Sequence, residues 1–225
     1  MNKILSLLLF IALFIPINSF SQIKKHTKLD NHVHLGIMTG KLKSNTTDMI
    51  DLKSDFAYNL SVGSTYSIDR YSTEKIKYGY TFDYINISQS NFKFIEKFYW
   101  KSENTDLQET SIGVSAGGNC TLQFNKFFKM TFNAKYNPAY SKLNIDGVDY
   151  SYDLKGFSNS LLFGCDFSFK FIGTGIEYKI SGVKYKLDNV QKDDHGINPV
   201  FINKLGTDKG NIISNYLNIY LTFNF

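Results

Sequence analysis

The sequence predicts an all-β fold, an eight-stranded antiparallel up-and-down transmembrane β-barrel, and three observations support this prediction. Apolar and polar side chains alternate over long segments, which gives each strand one apolar face and one polar face. The segments that connect the predicted strands alternate between short and long, as in a barrel whose hairpins end on opposite sides of a membrane. The chain contains 15 Tyr and 20 Phe but only 3 Pro, a composition that favours strands.

Residues 1–21 are predicted to be a cleaved signal peptide. This segment has one lysine, an apolar run over 4–15 and small residues before the cleavage point, which is the pattern of a secretory signal. A helical anchor is the alternative, but the apolar run is short for a membrane-spanning helix. Residues 22–225 are then expected to form a single outer-membrane β-barrel domain, because all-β domains commonly reach about 200 residues undivided.

The charge balance argues against a nucleic-acid partner. The net charge of +5 becomes +4 when Lys3 leaves with the signal peptide, and basic and acidic residues are mixed along the chain. This mild excess of positive charge fits surface solubility, and it also allows contact with the headgroups of outer-membrane lipid.

The first two strands are predicted at 30–41 and 54–68. In the first, Val33, Leu35 and Ile37 share a face opposite the histidines. The second alternates more regularly, and its apolar face consists of Phe56, Tyr58, Leu60, Val62, Tyr66 and Ile68. Both segments have the two-residue period of a strand.

Strands three, four and five are predicted at 74–88, 109–124 and 129–142. The apolar face of the third strand consists of Ile76, Tyr78, Tyr80, Phe82 and Tyr84. The fourth keeps its alternation over its whole length. In the fifth, Pro138 weakens the hydrogen-bond ladder near one end, where this is tolerated.

Strands six, seven and eight are predicted at 158–171, at 175–187 and from about residue 212 to the end. The apolar face of the sixth consists of Leu161, Phe163, Cys165, Phe167, Phe169 and Phe171. In the seventh strand the apolar positions change parity, which predicts a β-bulge near Ser181 and Gly182. The eighth alternates up to the final aromatic residue.

The connections fall into two classes by length. After the second, fourth and sixth strands they are DRYST, NKFFK and IGT. After the first, third, fifth and seventh strands they are predicted to be long, at about 42–53, 89–108, 143–157 and 188–211. This alternation predicts short periplasmic turns and long external loops.

The polar faces are dominated by Gly, Ser, Thr and Asn, with charged residues among them. The charged residues predicted to form a polar network in the barrel interior are Lys75, Lys77, Asp83, Lys135, Asp166, Lys170, Glu177 and Lys179. Side chains fill an eight-stranded barrel, so a wide channel is not expected. A two-residue turn at Gly173 and Thr174 would place Lys170 opposite Glu177 as a cross-strand pair.

The segment FSQ at the predicted cleavage point, the eight alternating strands, the connection lengths and the terminal YLTFNF together resemble a known family. It is the small outer-membrane β-barrel family of the PorT-like and OmpX-like type, within the porin-family barrels. The resemblance implies that barrel-assembly machinery recognises the end of the chain, through Tyr220, Phe223 and Phe225. It does not imply one function, because the family includes adhesins, secretion-system accessories and members of unknown role.

Candidate chemistry is sparse. His32 and His34 are spaced as metal ligands could be, but no Cys or carboxylate cluster accompanies them in the sequence, and lumen-facing polar residues are the simpler interpretation. Asp193, Asp194 and His195 could bind a cation or form a solvated loop tip. No metal or cofactor is therefore expected. No histidine is placed at the lipid-facing rim to serve a nucleophile, so a non-enzymatic protein is expected.

One aromatic cluster lies beyond the third predicted strand. It consists of Phe92, Phe94, Phe98, Tyr99 and Trp100. These rings could form an aromatic girdle or pack against other loops, or they could form a patch that binds a protein partner.

The sequence therefore favours a non-enzymatic outer-membrane barrel whose external loops form an interaction or structural surface. The alternatives are a lipid-modifying outer-membrane enzyme, a soluble secreted lipocalin-like carrier, and a narrow pore.

Overall fold

The computed structural model describes residues 26–44, 51–97, 102–147, 150–192 and 212–225. They form a closed barrel of eight strands, in which each strand pairs antiparallel with its neighbours in the chain and the last strand pairs with the first. The strands are β1 (His26–Ser44), β2 (Asp51–Ile68), β3 (Ile76–Lys97), β4 (Ser102–Gln123), β5 (Phe128–Asp146), β6 (Tyr150–Phe169), β7 (Ile172–Lys192) and β8 (Ile212–Asn224). The predicted eight-stranded up-and-down barrel is confirmed, while the predicted signal peptide lies outside the described residues.

The two ends of the barrel differ. One end, which we call the turn end, carries the connections 69–75, 124–127 and 170–171 together with the final residue Phe225. The first of these connections contains a short 3₁₀ helix, Asp69–Tyr71. At the opposite end, which we call the loop end, the strands lead to 45–50, 98–101, 148–149 and 193–211, which lie outside the described residues. In the described part of the chain, no helix is long and apolar enough to cross a membrane.

The strands are longer than predicted at the loop end. β3 continues to Lys97 and β4 begins at Ser102, so most of the predicted connection 89–108 is paired strand. β6 likewise begins at Tyr150 within the predicted connection 143–157. The strands leave only 45–50, 98–101 and 147–149 between them at these three places, so the prediction of long connections after the first, third and fifth strands was wrong.

The physical reason is a reversal of the two barrel faces. On β5, Tyr140 points outward and Ser141 inward, but beyond them Lys142 points outward and Leu143 is fully buried. The backbone continues its two-residue alternation while the apolar side chains move from the outer face to the inner face. Two polar residues in succession mark this change, and in the sequence they imitate the end of a strand.

The same reversal explains β7, where a β-bulge was predicted. The pairing of β7 with β6 and with β8 runs without a shift through Ser181 and Gly182, so that prediction was wrong. Val183 and Tyr185 face inward because this part of β7 has passed beyond the outer apolar surface. A register shift does occur in β3 between Asp83 and Asn86, where Tyr84 and Ile85 are both exposed.

The turn between β6 and β7 consists of Lys170 and Phe171, with Phe169 paired to Ile172. Lys170 has a positive φ of 54°, a conformation that costs energy for a non-glycine residue but that tight turns require at some positions. The predicted turn at Gly173 and Thr174 and the predicted Lys170–Glu177 pair were therefore wrong. Glu177 lies opposite Gly164.

The outer surface carries an apolar band that begins at the turn end and covers more than half of the height of strands such as β6. On β6 the exposed members are Phe157, Leu161, Phe163, Phe167 and Phe169, and on β8 they are Leu217, Ile219, Leu221 and Phe223. Phe157 and Phe169 are twelve residues apart. At about 3.4 Å per residue and a tilt of about 40°, the band on β6 is about 30 Å tall.

Candidate functional site

A buried charged network fills the interior near the turn end. Lys135 of β5 lies at its centre, with its Nζ 2.9 Å from Asp83 Oδ2 and 3.0 Å from Glu177 Oε2. All three side chains are buried. Asp83 is on β3 and Glu177 is on β7, so the two ion pairs cross the lumen between strands that are not hydrogen-bonded to each other.

Two histidines and a tyrosine form a ring stack beside Lys135. The ring centroids of His32 and His34 are 4.4 Å apart, and those of His34 and Tyr220 are 4.5 Å apart. His32 Nε2 lies 2.8 Å from Asp83 Oδ1. The Tyr220 hydroxyl donates to Asp166 Oδ1. This stack links β1 and β8 to the carboxylates of β3 and β6.

Each carboxylate has further donors. Ser115 donates its hydroxyl to Asp83, and Asn133 Nδ2 donates to Asp166 Oδ2 over 2.9 Å. Burying a charge is costly unless it is paired and hydrogen-bonded. Asp83 meets this condition through Lys135, His32 and Ser115.

The other residues proposed for the network occupy different positions. Lys179 is buried on β7, where its Nζ donates to Ser88 Oγ over 3.3 Å. Lys77 is half-buried near the turn end. Lys75 and Lys170 are exposed in turns, and Lys170 Nζ lies 4.8 Å from the ring centroid of Phe127. A turn residue has no lumen face, so these two lysines lie outside the network.

Midway along the barrel lies a second polar cluster, which the sequence analysis missed. Glu109 of β4 accepts hydrogen bonds from the Tyr185 hydroxyl over 2.8 Å and from the Tyr216 hydroxyl. Lys179 Nζ lies 5.8 Å from the ring centroid of Tyr216. Glu109 shares its parity with the inward-facing Ser111, and that pattern could have identified it. Its position at the edge of the predicted loop 89–108 concealed its inward orientation.

An apolar plug, which includes Tyr185 and Tyr216 of this cluster, fills the interior from there towards the loop end. Its members are Met38, Leu42, Leu52, Ala57, Phe92, Leu107, Leu143, Ile145, Tyr152, Leu154, Val183, Tyr185, Ile212 and Tyr216. Several of these side chains are completely inaccessible to solvent. Packed apolar side chains leave no space for a water column, so the plug closes the barrel interior at this level.

A small polar cavity lies below the plug, at the turn end. It has about 20 Å³ of free space and is lined by residues that include Asp30, His34, Lys129 and Asp166, which is room for about one or two water molecules. Lys129 of β5 forms an ion pair with Asp30 of β1 on the opposite side of the barrel. No group of three or more His, Cys, Asp or Glu side chains within the described ranges is arranged to bind a metal ion.

The structure describes the side chain of only one of the five residues proposed to bind a partner, and this side chain lies inside the barrel. Phe92 is 1% exposed and belongs to the apolar plug, so its proposed role in an external patch was wrong. The bulge in β3 sets this orientation, because the even-numbered residues beyond it face inward. Phe94 lies on β3, but its side chain is outside the described part of the structure, as are Phe98, Tyr99 and Trp100.

The end of the chain closes the barrel. Tyr220 faces inward, while Phe223 and Phe225 face outward and are 38% and 73% exposed. The backbone of Phe225 makes two hydrogen bonds with Asn31, of 2.9 Å and 3.0 Å. The three residues proposed as an assembly signal therefore lie on both faces of the closing strand.

Comparison with known proteins gives structural matches alone, because no family model and no curated protein matches the chain. The chain is similar to Neisserial surface protein A, with a TM-score of 0.50 and 13% identity over 90% of this chain and 100% of that chain. A second match is Ail, the attachment invasion locus protein of Yersinia pestis, solved with the heparin analogue sucrose octasulfate, with a TM-score of 0.47 and 14% identity over 87% and 98% of the two chains.

A third match is the outer membrane protease OmpT from Escherichia coli, with a TM-score of 0.48 and 9% identity over 91% of this chain and 100% of that chain. At these identities, the match to Neisserial surface protein A shows the fold alone. The chain has the fold of the small outer-membrane β-barrels, as the sequence resemblance implies.

Proposed function

We propose that this protein is an exported, non-enzymatic outer-membrane β-barrel that holds its connecting loops above the membrane as an interaction or structural surface. The observation that carries the proposal is the distribution of polarity in the described chain. Thirty large apolar side chains are exposed on it, while Asp83, Lys135 and Glu177 are buried inside. A soluble monomer rarely exposes more than a few hundred Å² of contiguous apolar surface, whereas a membrane barrel needs such a surface to contact lipid.

The dimensions of the band also support membrane insertion. Its height of about 30 Å on β6 is close to the thickness of a bilayer's hydrocarbon core. Beyond the band, β5 continues from Lys142 to Asp146 and β3 continues to Lys97. This upper part resembles a small soluble barrel, with apolar side chains inside and charged ones outside. It would raise the loops above the lipid on a rigid wall.

Three features argue against the alternative functions. Among the described residues, the interior near the turn end holds buried ion pairs and a small polar cavity, a lining that does not suit the apolar ligand of a soluble carrier. The apolar plug in the interior argues against a pore. Among the histidines whose side chains the structure describes, His32 and His34 are stacked inside the barrel, away from the lipid-facing rim where an enzyme acting on lipid needs its base.

Membrane fractionation tests the proposed location. We expect the expressed protein in the outer-membrane fraction, extracted only by detergent, and faster migration on an SDS gel without boiling than after boiling. Recovery from the aqueous fraction without detergent would instead support a soluble carrier. Incubation of the purified protein with lipopolysaccharide, followed by analysis of acyl chains, tests the enzyme alternative, and any change in those chains would overturn the non-enzymatic assignment.

The loop tip beyond β3 is the proposed site for a protein partner. Replacing Phe98, Tyr99 and Trp100 with serine should abolish binding of a partner recovered with the parent protein, while the heat-modifiable band stays. Phe92→Ala is the control for a folding defect. It alters the plug near the same connection and should weaken folding, so it shows what a loss of packing looks like in this assay. Loss of folding in the triple serine variant would show that these rings serve packing instead.

A further inference from the structure

The outer apolar band ends at a row of lysines on three adjacent strands. The last outward positions of the band are Tyr140 on β5, Phe157 on β6 and Gly182 on β7. The next outward position on each strand is a lysine, namely Lys142, Lys155 and Lys184, and Lys186 follows on β7. We call these four residues the lysine patch.

The strand register brings the patch together. Lys142 lies directly opposite Lys155, and Lys155 lies directly opposite Lys186, so three lysines stand side by side across three strands. Side chains directly opposite on antiparallel strands have Cβ atoms about 5 Å apart, and like charges at such positions destabilise a sheet. One row closer to the band, Tyr140, Phe157 and Lys184 are side by side in the same way.

Acidic residues neutralise only part of the patch. Lys142 Nζ lies 3.1 Å from Asp153 Oδ2, and Lys155 forms an ion pair with Asp188. Lys184 and Lys186 are exposed, and neither has a carboxylate partner among the described residues. Four lysines and two aspartates leave a local charge of +2 at the boundary of the apolar band. Repulsion within the row would be relieved by an anion bound at this height.

We propose that the lysine patch binds the phosphate group of a lipid in the leaflet on the loop side, with the lipid's acyl chains lying on Tyr140 and Phe157. This inference rests on the membrane placement proposed above. Lysine ammonium groups bind phosphate oxygens by charge-assisted hydrogen bonds. A lipid satisfies both parts of this surface at once, because its charged headgroup and its apolar chains are joined at the height where lysines replace aromatic rings.

The test is native mass spectrometry of the full-length protein in detergent, titrated with diphosphoryl lipid A and, separately, with phosphatidylcholine. The variant K184S/K186S removes the two unpaired lysines. Each lysine near an anionic lipid surface contributes about fivefold in affinity, so lipid A binding should fall about 25-fold. The matched control is K75S/K126S, which removes two exposed lysines at the turn end and should bind lipid A as the parent does.

A second variant should change the affinity for lipid A in the opposite direction. Asp188→Asn releases Lys155 from its ion pair, so lipid A should bind about fivefold more tightly. Parental affinity in K184S/K186S, or equal binding of phosphatidylcholine and lipid A by the parent, would overturn the inference. Displacement of lipid A by millimolar inorganic phosphate would also overturn it, because the patch would then bind the anion without its lipid. A protein that fails to enter membranes refutes the proposed function, whereas one that inserts without lysine-dependent binding refutes only the lysine patch.

Discussion

Replacing Lys135 with methionine tests whether the buried ion pairs hold the barrel together. Methionine retains much of the volume of the lysine side chain but removes its charge. In the parent, Lys135 Nζ contacts Asp83 and Glu177 at 2.9 Å and 3.0 Å, and its side chain is 1% exposed. K135M leaves two buried carboxylates without their cation. Asp83 keeps its contacts with His32 and Ser115.

The expected loss follows from this burial. Removing one partner of a buried ion pair destabilises a protein by about 3–5 kcal/mol, mainly because the remaining charge is uncompensated. K93M is the matched control, since Lys93 Nζ lies 3.3 Å from Asp55 on the outer surface and the lysine side chain is 67% exposed. Such an exposed pair contributes about 0–1 kcal/mol. The two variants remove the same charge and differ in the burial of its partners.

The assay is urea unfolding of the barrel in detergent micelles, followed by the heat-modifiable gel shift. The free energy of unfolding should fall by about 3–5 kcal/mol in K135M and change by less than about 1 kcal/mol in K93M. A third variant, D83N/K135M/E177Q, removes all three charges and should recover most of the loss, because no uncompensated charge remains. If K135M unfolds within about 1 kcal/mol of the parent, the ion pairs do not contribute as argued.

Three further predictions concern the plug, the chain end and the lumen. Phe92→Ala should lower the free energy of unfolding in the same urea assay by about 3–5 kcal/mol, because Phe92 is buried in the plug, and a loss below about 1 kcal/mol would contradict its position. Phe223→Ser with Phe225→Ser should reduce the heat-modifiable barrel recovered from cells while refolding in detergent is kept; equal recovery would remove the proposed recognition by assembly machinery. The parent should show no discrete conductance steps in a planar bilayer, and reproducible steps would mean that the plug does not seal the lumen.

The architecture could be predicted because a barrel wall follows a two-residue period that is visible in sequence. The ends of the strands at the loop end could not be predicted, because the apolar side chains there lie on the inner face, as the outward Tyr140 and the buried Leu143 show. If a strand is predicted only where apolar residues stay on one face, this change of face is taken for the start of a loop. Turn positions were also ambiguous, since Gly173 and Thr174 form a plausible turn sequence, while the structure turns at Lys170 and Phe171.

The sequence predicts which charged residues face the interior, but not which of them pair. Parity places Asp83, Lys135 and Glu177 on the inward face, and the structure buries all three. Their pairing could not be derived, because β3, β5 and β7 are not adjacent, and contacts across a lumen depend on the stagger of the whole barrel. The pair between Tyr185 and Glu109 likewise joins β7 to β4.

The cross-lumen ion pairs also suggest how the barrel selects one stagger. A slip of two residues between neighbouring strands keeps every apolar side chain on its original face, so the outer band alone does not exclude it. The same slip moves a side chain by about 7 Å along the strand, which would separate Lys135 from Asp83 or from Glu177. The ion pairs therefore penalise slipped registers that the band tolerates.

In D83N/K135M/E177Q, the stability of the barrel and the uniqueness of its register should separate. The variant should recover most of its free energy of unfolding, yet it lacks the charges that penalise a slipped register. Its amide NMR spectrum in detergent should show more than one set of signals for residues of β3, β5 and β7, and the parent should show one. K93M, which leaves the interior intact, should keep a single set. A single set in the uncharged variant would mean that the turns and the apolar plug fix the stagger without the ion pairs.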